Sequence, residues 1–159
     1  MRRPRHLRVE RRPHGRQTPG QRLTSLACLQ ARLPRLSGRL TVAIVGDGDF
    51  NMAPGVLWTA AHHKIPILYI VHNNRAYHQE VMMILRMASR RQRVHNKNVY
   101  VGTLIDNPAP DYAKIAQGYG LYAQGPVTDP KDLAAAIRRA IDVVKRGEPA
   151  LIDVVSDGR

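Results

Sequence analysis

Three short apolar runs constrain this chain most. Leu40-Thr-Val-Ala-Ile-Val45, Ile65 to His72 and Ala150-Leu-Ile-Asp-Val-Val155 are rich in β-branched residues and have the length of strands. Their near-continuous apolarity suits strands covered on both faces, as in a parallel sheet. Parallel strands need long crossovers, and text with helical spacing lies between the runs.

After the first run, Gly46-Asp47-Gly48 predicts a tight turn, and Pro54 suits the first turn of a helix whose apolar face is Val56, Leu57, Ala60 and Ala61, through about His63. The second run ends at Asn73-Asn74. Tyr77 to about Arg90 has helical spacing through Val81, Ile84, Leu85 and Ala88. Residues 91–110 are polar and basic and predict a surface excursion. Asp111 can cap a short helix that ends near Gly118-Tyr119-Gly120, and Leu121 to Val127 predicts a further strand. Thr128-Asp129, Pro130 and Asp132 open the last helix, Lys145-Arg146-Gly147 close it, and Leu133, Ile137, Ile141 and Val144 form its stripe. The β-α-β-α-α-β-α-β series predicts an α/β fold, a mostly parallel sheet with helices on both faces.

Charge divides the chain in two. Of the formal +13, residues 1–39 carry +10, with eleven arginines, no lysine and one acid, Glu10. The rest has the balance of an ordinary globular domain. Residues 1–36 are broken by Pro4, Pro13, Pro19 and Pro34 and show no sustained stripe, so we expect a disordered basic arm. Its composition also fits an organellar transit peptide, although it lacks a secretory apolar core. The longest strongly apolar run, Ile65 to Val71, is far short of the roughly 20 residues of a membrane span, so no membrane role is expected. The single cysteine, Cys28, excludes an internal disulfide and any CxxC site and fits a cytoplasmic setting.

The chemistry gathers at two strand ends. A right-handed crossover would bring Gly46-Asp47-Gly48 and Asn73-Asn74 to the same edge of the sheet, where ligands of such folds bind. Asp47 offers a hard anionic oxygen and Asn74 a neutral one, a pairing suited to Mg²⁺, which completes its octahedron with water and phosphate oxygens. Gly48 permits close backbone approach to a phosphate, and free N–H groups at a helix start favour an anion. Alone, each motif is also an ordinary turn sequence. Surface or hydrogen-bonding roles suit His62, His63, His72 and His78 better than metal ligation, Arg90 to Arg93 suit a solvated helix end, and Trp58 suits the core.

GDG, 24 intervening residues and NN resemble the thiamine-diphosphate binding motif of thiamine-dependent enzymes. The flanking text, Gly46 to Ala61, His72 to Tyr77 and Tyr119 to Pro130, is similar to the C-terminal diphosphate-binding domain of the acetolactate synthase and benzoylformate decarboxylase group. The resemblance covers roughly residues 37–159. It implies thiamine diphosphate and Mg²⁺ as cofactors. Asp47 and Asn74 would ligate Mg²⁺ by their side chains and Ala76 by its carbonyl, while Gly46, Gly48 and Asp49 would line the diphosphate. Glu80 falls where some decarboxylases of the family carry a glutamate near the substrate, at a position that varies among activities. The implied activity is decarboxylation of a 2-oxo acid or an acetolactate-synthase-like reaction, carried out in a homo-oligomer.

Two departures bear on that activity. Enzymes of this group also carry a pyrimidine-binding domain whose glutamate meets the cofactor, and 159 residues leave no room for it. Residues 8–36 hold Arg-rich text where the family places a Gly/Ala-rich segment and a bulky apolar residue. We therefore expect residues 1–36 to be a frameshifted or mis-started segment, residues 37–159 to be the domain, and the chain to be a gene fragment, inactive alone. The alternatives are a non-catalytic remnant, or a partner-dependent subunit that needs a separate pyrimidine-binding chain. A basic nucleic-acid-binding module rests on the arm alone, since the remainder has no helix-turn-helix or aromatic RNA-binding signature.

Overall fold

A computed structural model describes residues 39–94 and 97–156; the arm, 1–36, lies outside them. Strand β1 (Thr41–Gly46) is followed by α1 (Asp47–Met52), α2 (Val56–His62), β2 (Ile67–Asn73) and α3 (His78–Arg90). A 3₁₀ turn (Lys97–Tyr100), α4 (Tyr112–Gly118), β3 (Tyr122–Val127), α5 (Pro130–Lys145) and β4 (Ala150–Val155) complete the order. The four strands form one parallel sheet in the order β1-β2-β4-β3.

Helices cover both faces, as the strand and helix series predicts. On one, Ala43, Val45, Ile67, Tyr69, Val71 and Leu151 pack with Phe50 of α1, Leu57 and Ala60 of α2, and Tyr112 and Ala116 of α4. On the other, Leu68, Ala150 and Ile152 meet Ala136, Ala140, Val143 and Val144 of α5. The α5 cap is the one expected, with the Asp129 side chain accepting from the Lys131 N–H at 2.9 Å and Pro130 in the first turn. The core line of α5 runs through its alanines; of the expected stripe only Val144 is fully buried, because small residues let the helix approach the sheet closely. Asp111 caps α4 by accepting from the Lys114 N–H at 2.9 Å.

Three local expectations are corrected. Gly46-Asp47-Gly48 does not form a turn ahead of a helix: Gly46 is the extended N-cap of α1, and Asp47 is already helical. The expected helix is α2, but a further short helix, α1, precedes it and stops at Met52, and Pro54 lies in the link before α2, not in its first turn. Trp58 is not in the core; it is 55% exposed and stacks on His62, ring centres 4.8 Å apart. Among the described residues β1 is an edge strand, with Val42 and Ile44 exposed on the face opposite Ala43 and Val45. No helix among them is long and apolar enough to cross a membrane.

Candidate cofactor site

The register sets the site. Gly46 of β1 pairs with His72 of β2, so Asp47 leaves the sheet beside the Asn73-Asn74 turn. Asp47 is 2% exposed. Its Oδ1 accepts from the Gly48 N–H at 2.9 Å, whereas its Oδ2 is buried with no hydrogen-bond partner among the described residues. Burial pushes the carboxyl above its usual range, and the amides of Gly48, Arg75 and Ala76 oppose that shift. Two of these three amides come from the β2 exit, so both motifs converge on one carboxyl group.

The β2 exit is held from two sides. Asn74 Oδ1 accepts from the Ala76 N–H at 3.1 Å, closing a local turn. The chain then bridges to the excursion: the Tyr77 N–H donates to the Thr103 carbonyl at 2.7 Å, and the Ile105 N–H donates to the Arg75 carbonyl at 2.8 Å. In this antiparallel bridge the N–H and C=O of Ala76 face away from Leu104, towards the side where its N–H meets Asn74. The excursion left open by the sequence thus buttresses the turn.

An unpartnered buried carboxylate oxygen is costly unless something positive meets it. Asp47 Oδ2, the second lone pair of Asn74 Oδ1 and the Ala76 carbonyl are all hard oxygen donors. That set fits Mg²⁺, which takes few protein ligands. Among the described residues no three His, Cys, Asp or Glu side chains group to hold a metal, and His62, His63 and His72 are exposed.

The remaining expected residues fall nearby with different surroundings. Gly46, Gly48 and Asp49 open α1. At Gly48 a Cβ would lie 2.6 Å and 2.7 Å from the Tyr77 ring, so the glycine admits an aromatic ring as well as any phosphate. Glu80 is exposed in the first turn of α3. A cavity of about 470 Å³ lies behind the turn, walled by Asn74, Ala76, Val81, Leu104 and Ser156, and Glu80 does not line it.

The sequence gives no sign of the roles of three residues in this region, Tyr112, Asp153 and Asn73, the last named there only as part of the Asn73-Asn74 motif. Tyr112 is fully buried; its hydroxyl donates to the Asp47 carbonyl at 3.4 Å, and burial with the Asp47 charge pushes its pKa up. Asn73 donates from Nδ2 to Asp153 Oδ1 at 3.0 Å, and both are buried. The Asn73 to Asp153 pair spans 80 positions, which no local pattern reveals.

The family model of the C-terminal TPP binding domain of thiamine pyrophosphate enzymes matches residues 11–154. The chain belongs to this family. Within it, benzoylformate decarboxylase of Pseudomonas aeruginosa is 28% identical over 73% of this chain and 19% of its own length. The mitochondrial acetolactate synthase catalytic subunit of Aspergillus candidus is 33% identical over 74% of this chain and 15% of its own. The chain therefore spans less than a fifth of these relatives. The solved 4-hydroxybenzoylformate decarboxylase of Rhodococcus jostii RHA1 shares the fold, with TM-score 0.55 and 23% identity over 77% of this chain and 21% of that one. The resemblance in the sequence and the α/β thiamine-pyrophosphate-binding fold are both borne out.

Proposed function

We propose that this domain holds the diphosphate of thiamine diphosphate through a Mg²⁺ bound by Asp47, Asn74 and the Ala76 carbonyl, as part of a 2-oxo-acid decarboxylase or acetolactate-synthase-like enzyme. The observation that carries the reading is Asp47 Oδ2, buried without a hydrogen-bond partner among the described residues where the ends of β1 and β2 meet. Gly46, Gly48 and Asp49, at the start of α1, would line the diphosphate. When bound, the cofactor supplies the electron sink for breaking the bond beside a 2-oxo acid carbonyl; the protein contributes position and electrostatics. Asp47 offsets metal charge, Tyr112 and Gly48 fix the Asp47 backbone and side chain, and the 73–76 turn presents the neutral donors. Glu80, exposed on α3, is the weakest member of the proposed set.

Turnover would require a pyrimidine-binding domain or chain, because the matched model is that of a C-terminal domain. A homo-oligomer and a cytoplasmic setting belong to the same proposal, the latter supported by the single cysteine.

Calorimetric titration with thiamine diphosphate, with and without Mg²⁺, tests the site. We expect Mg²⁺-dependent binding that Asp47→Ala weakens by at least ~100-fold, since even partners one step removed from a metal are worth about 10–100-fold. Equal binding by both proteins would reject the ligand assignment. The isolated chain is expected to turn over no 2-oxo acid, and activity without an added partner would refute its dependence on one.

A further inference from the structure

The centre of β4 holds a residue that an aliphatic sheet does not need. Asp153 is fully buried between Ile152 and Val154, and its side chain shares a face with Leu151. An isolated carboxyl there costs free energy that a leucine or valine would not. Among the described residues its side-chain partner is Asn73, 3.0 Å away, and its Oδ2 is buried with no hydrogen-bond partner, although the Tyr112 backbone amide also favours the charged carboxyl. Neighbouring backbone is shaped around it: at Gly125 of β3, φ is +147, and a Cβ would lie 2.6 Å from Asp153 Cβ and 2.8 Å from its carbonyl oxygen. Only glycine accepts both that conformation and that proximity.

The bond to Asn73 fixes the last residue before Asn74. Asn73 is tied to β4 twice, by its side chain to Asp153 and by its carbonyl, which accepts from the Ser156 N–H at 2.8 Å. The turn that carries Asn74 and Ala76 therefore hangs from β4 at one end and from Thr103 and Ile105 at the other. Losing the bond to Asp153 would remove one of the two ties at the β4 end of this turn, which lies beside Asp47 on a different strand.

We propose that Asp153 is a positioning residue for the metal site, holding Asn73 so that Asn74 Oδ1 and the Ala76 carbonyl face Asp47. In this arrangement Asp153 acts through Asn73 and is not itself a ligand. The inference rests on the reading of Asp47 and Asn74 as metal ligands.

The test uses the whole 159-residue chain, with Mn²⁺ as a paramagnetic substitute for Mg²⁺ and inorganic pyrophosphate as the anion. Metal affinity is read by electron paramagnetic resonance, and Tm is recorded alongside. Asp153→Ala should weaken Mn²⁺ binding by about 10–100-fold, the range for removing a residue that orients a metal ligand. Asp153→Asn keeps an oxygen to accept from Asn73 and should restore most of the affinity. Leu151→Ala, from the same buried face of β4, should lower Tm at least as much and leave the affinity of the folded protein intact. If Asp153→Ala does not fold, Asn73→Ala cuts the same bond from its other end and should show the same loss. Wild-type affinity in Asp153→Ala, with affinity lost in Asp47→Ala, would overturn the positioning role and leave the metal site standing. Wild-type binding no better than that of Asp47→Ala would overturn the site and this inference together.

Discussion

On the α5 face of the sheet, aliphatic strand residues meet Ala136, Ala140, Val143 and Val144, and the contact is apolar from end to end. On the opposite face the same strands begin in the same way, with Ile67, Tyr69 and Leu151, but finish at Asn73, Asp153 and Asp47, three of the four buried polar residues among those described. Alternation along each strand produces the contrast: Ile152 and Asp153 are neighbours in sequence and face opposite sides. One face stabilises the domain. The other gives up stability at its C-terminal rim, where polar groups are buried with incomplete hydrogen bonding, and that rim is where a ligand would return the cost.

The largest expected effect separates the faces directly. Ile152→Ala, at a fully buried position on the α5 side, should cost about 2–5 kcal/mol in chemical denaturation and leave metal affinity unchanged. A fall in affinity matching that of Asp153→Ala would show that the faces are not independent. Next comes Gly48→Ala. Its Cβ would force the Tyr77 ring aside, costing about 1–3 kcal/mol by overpacking and weakening diphosphate binding, and adding Tyr77→Ala should recover stability without recovering affinity.

The smallest effect is a pH dependence confined to the polar rim. Burial raises the Asp47 and Asp153 pKa values above the ordinary 3.8. The folded state then keeps these protons to higher pH than the unfolded chain does. The stability linked to them is full below about pH 3.8 and is lost as pH rises through the raised folded values. Melting of the metal-free chain should show this decline upward from pH 4, and Mg²⁺ with pyrophosphate should oppose it increasingly over the same window. A metal-free melting temperature that falls with rising pH as steeply in the double variant Asp47→Asn, Asp153→Asn as in wild type would remove the rim from the explanation.

How much of this was legible in the sequence depends on whether the cause is local. The Asp129 and Asp111 caps, the β4 boundaries and the parallel sheet follow from residues within a few positions of one another, and all are observed. The convergence of GDG and NN is also legible, because two strand ends joined by one crossover must be near each other. Helix α1 escaped because Gly46 caps it through backbone conformation, with no side-chain bond to betray the boundary. Trp58 misled because a large apolar residue predicts burial only on average. Asp153 escaped for a deeper reason: one acid in an apolar run looks like an outward-facing residue until β2, β3 and α4 are all placed around it.

The bare face of β1 has a kinetic consequence. The strand that ends at Asp47 is paired on one side only among the described residues, and Val42 and Ile44 have little packed over them. β4, by contrast, is flanked by strands on both sides. Amide hydrogens of β1 should therefore exchange with solvent earlier than those of β4, through local openings that never unfold the domain. Each such opening would carry Asp47 away from a turn that stays in place. The lifetime of a bound metal would then follow the breathing of one edge strand, and anything that covers that edge would act as a brake on release.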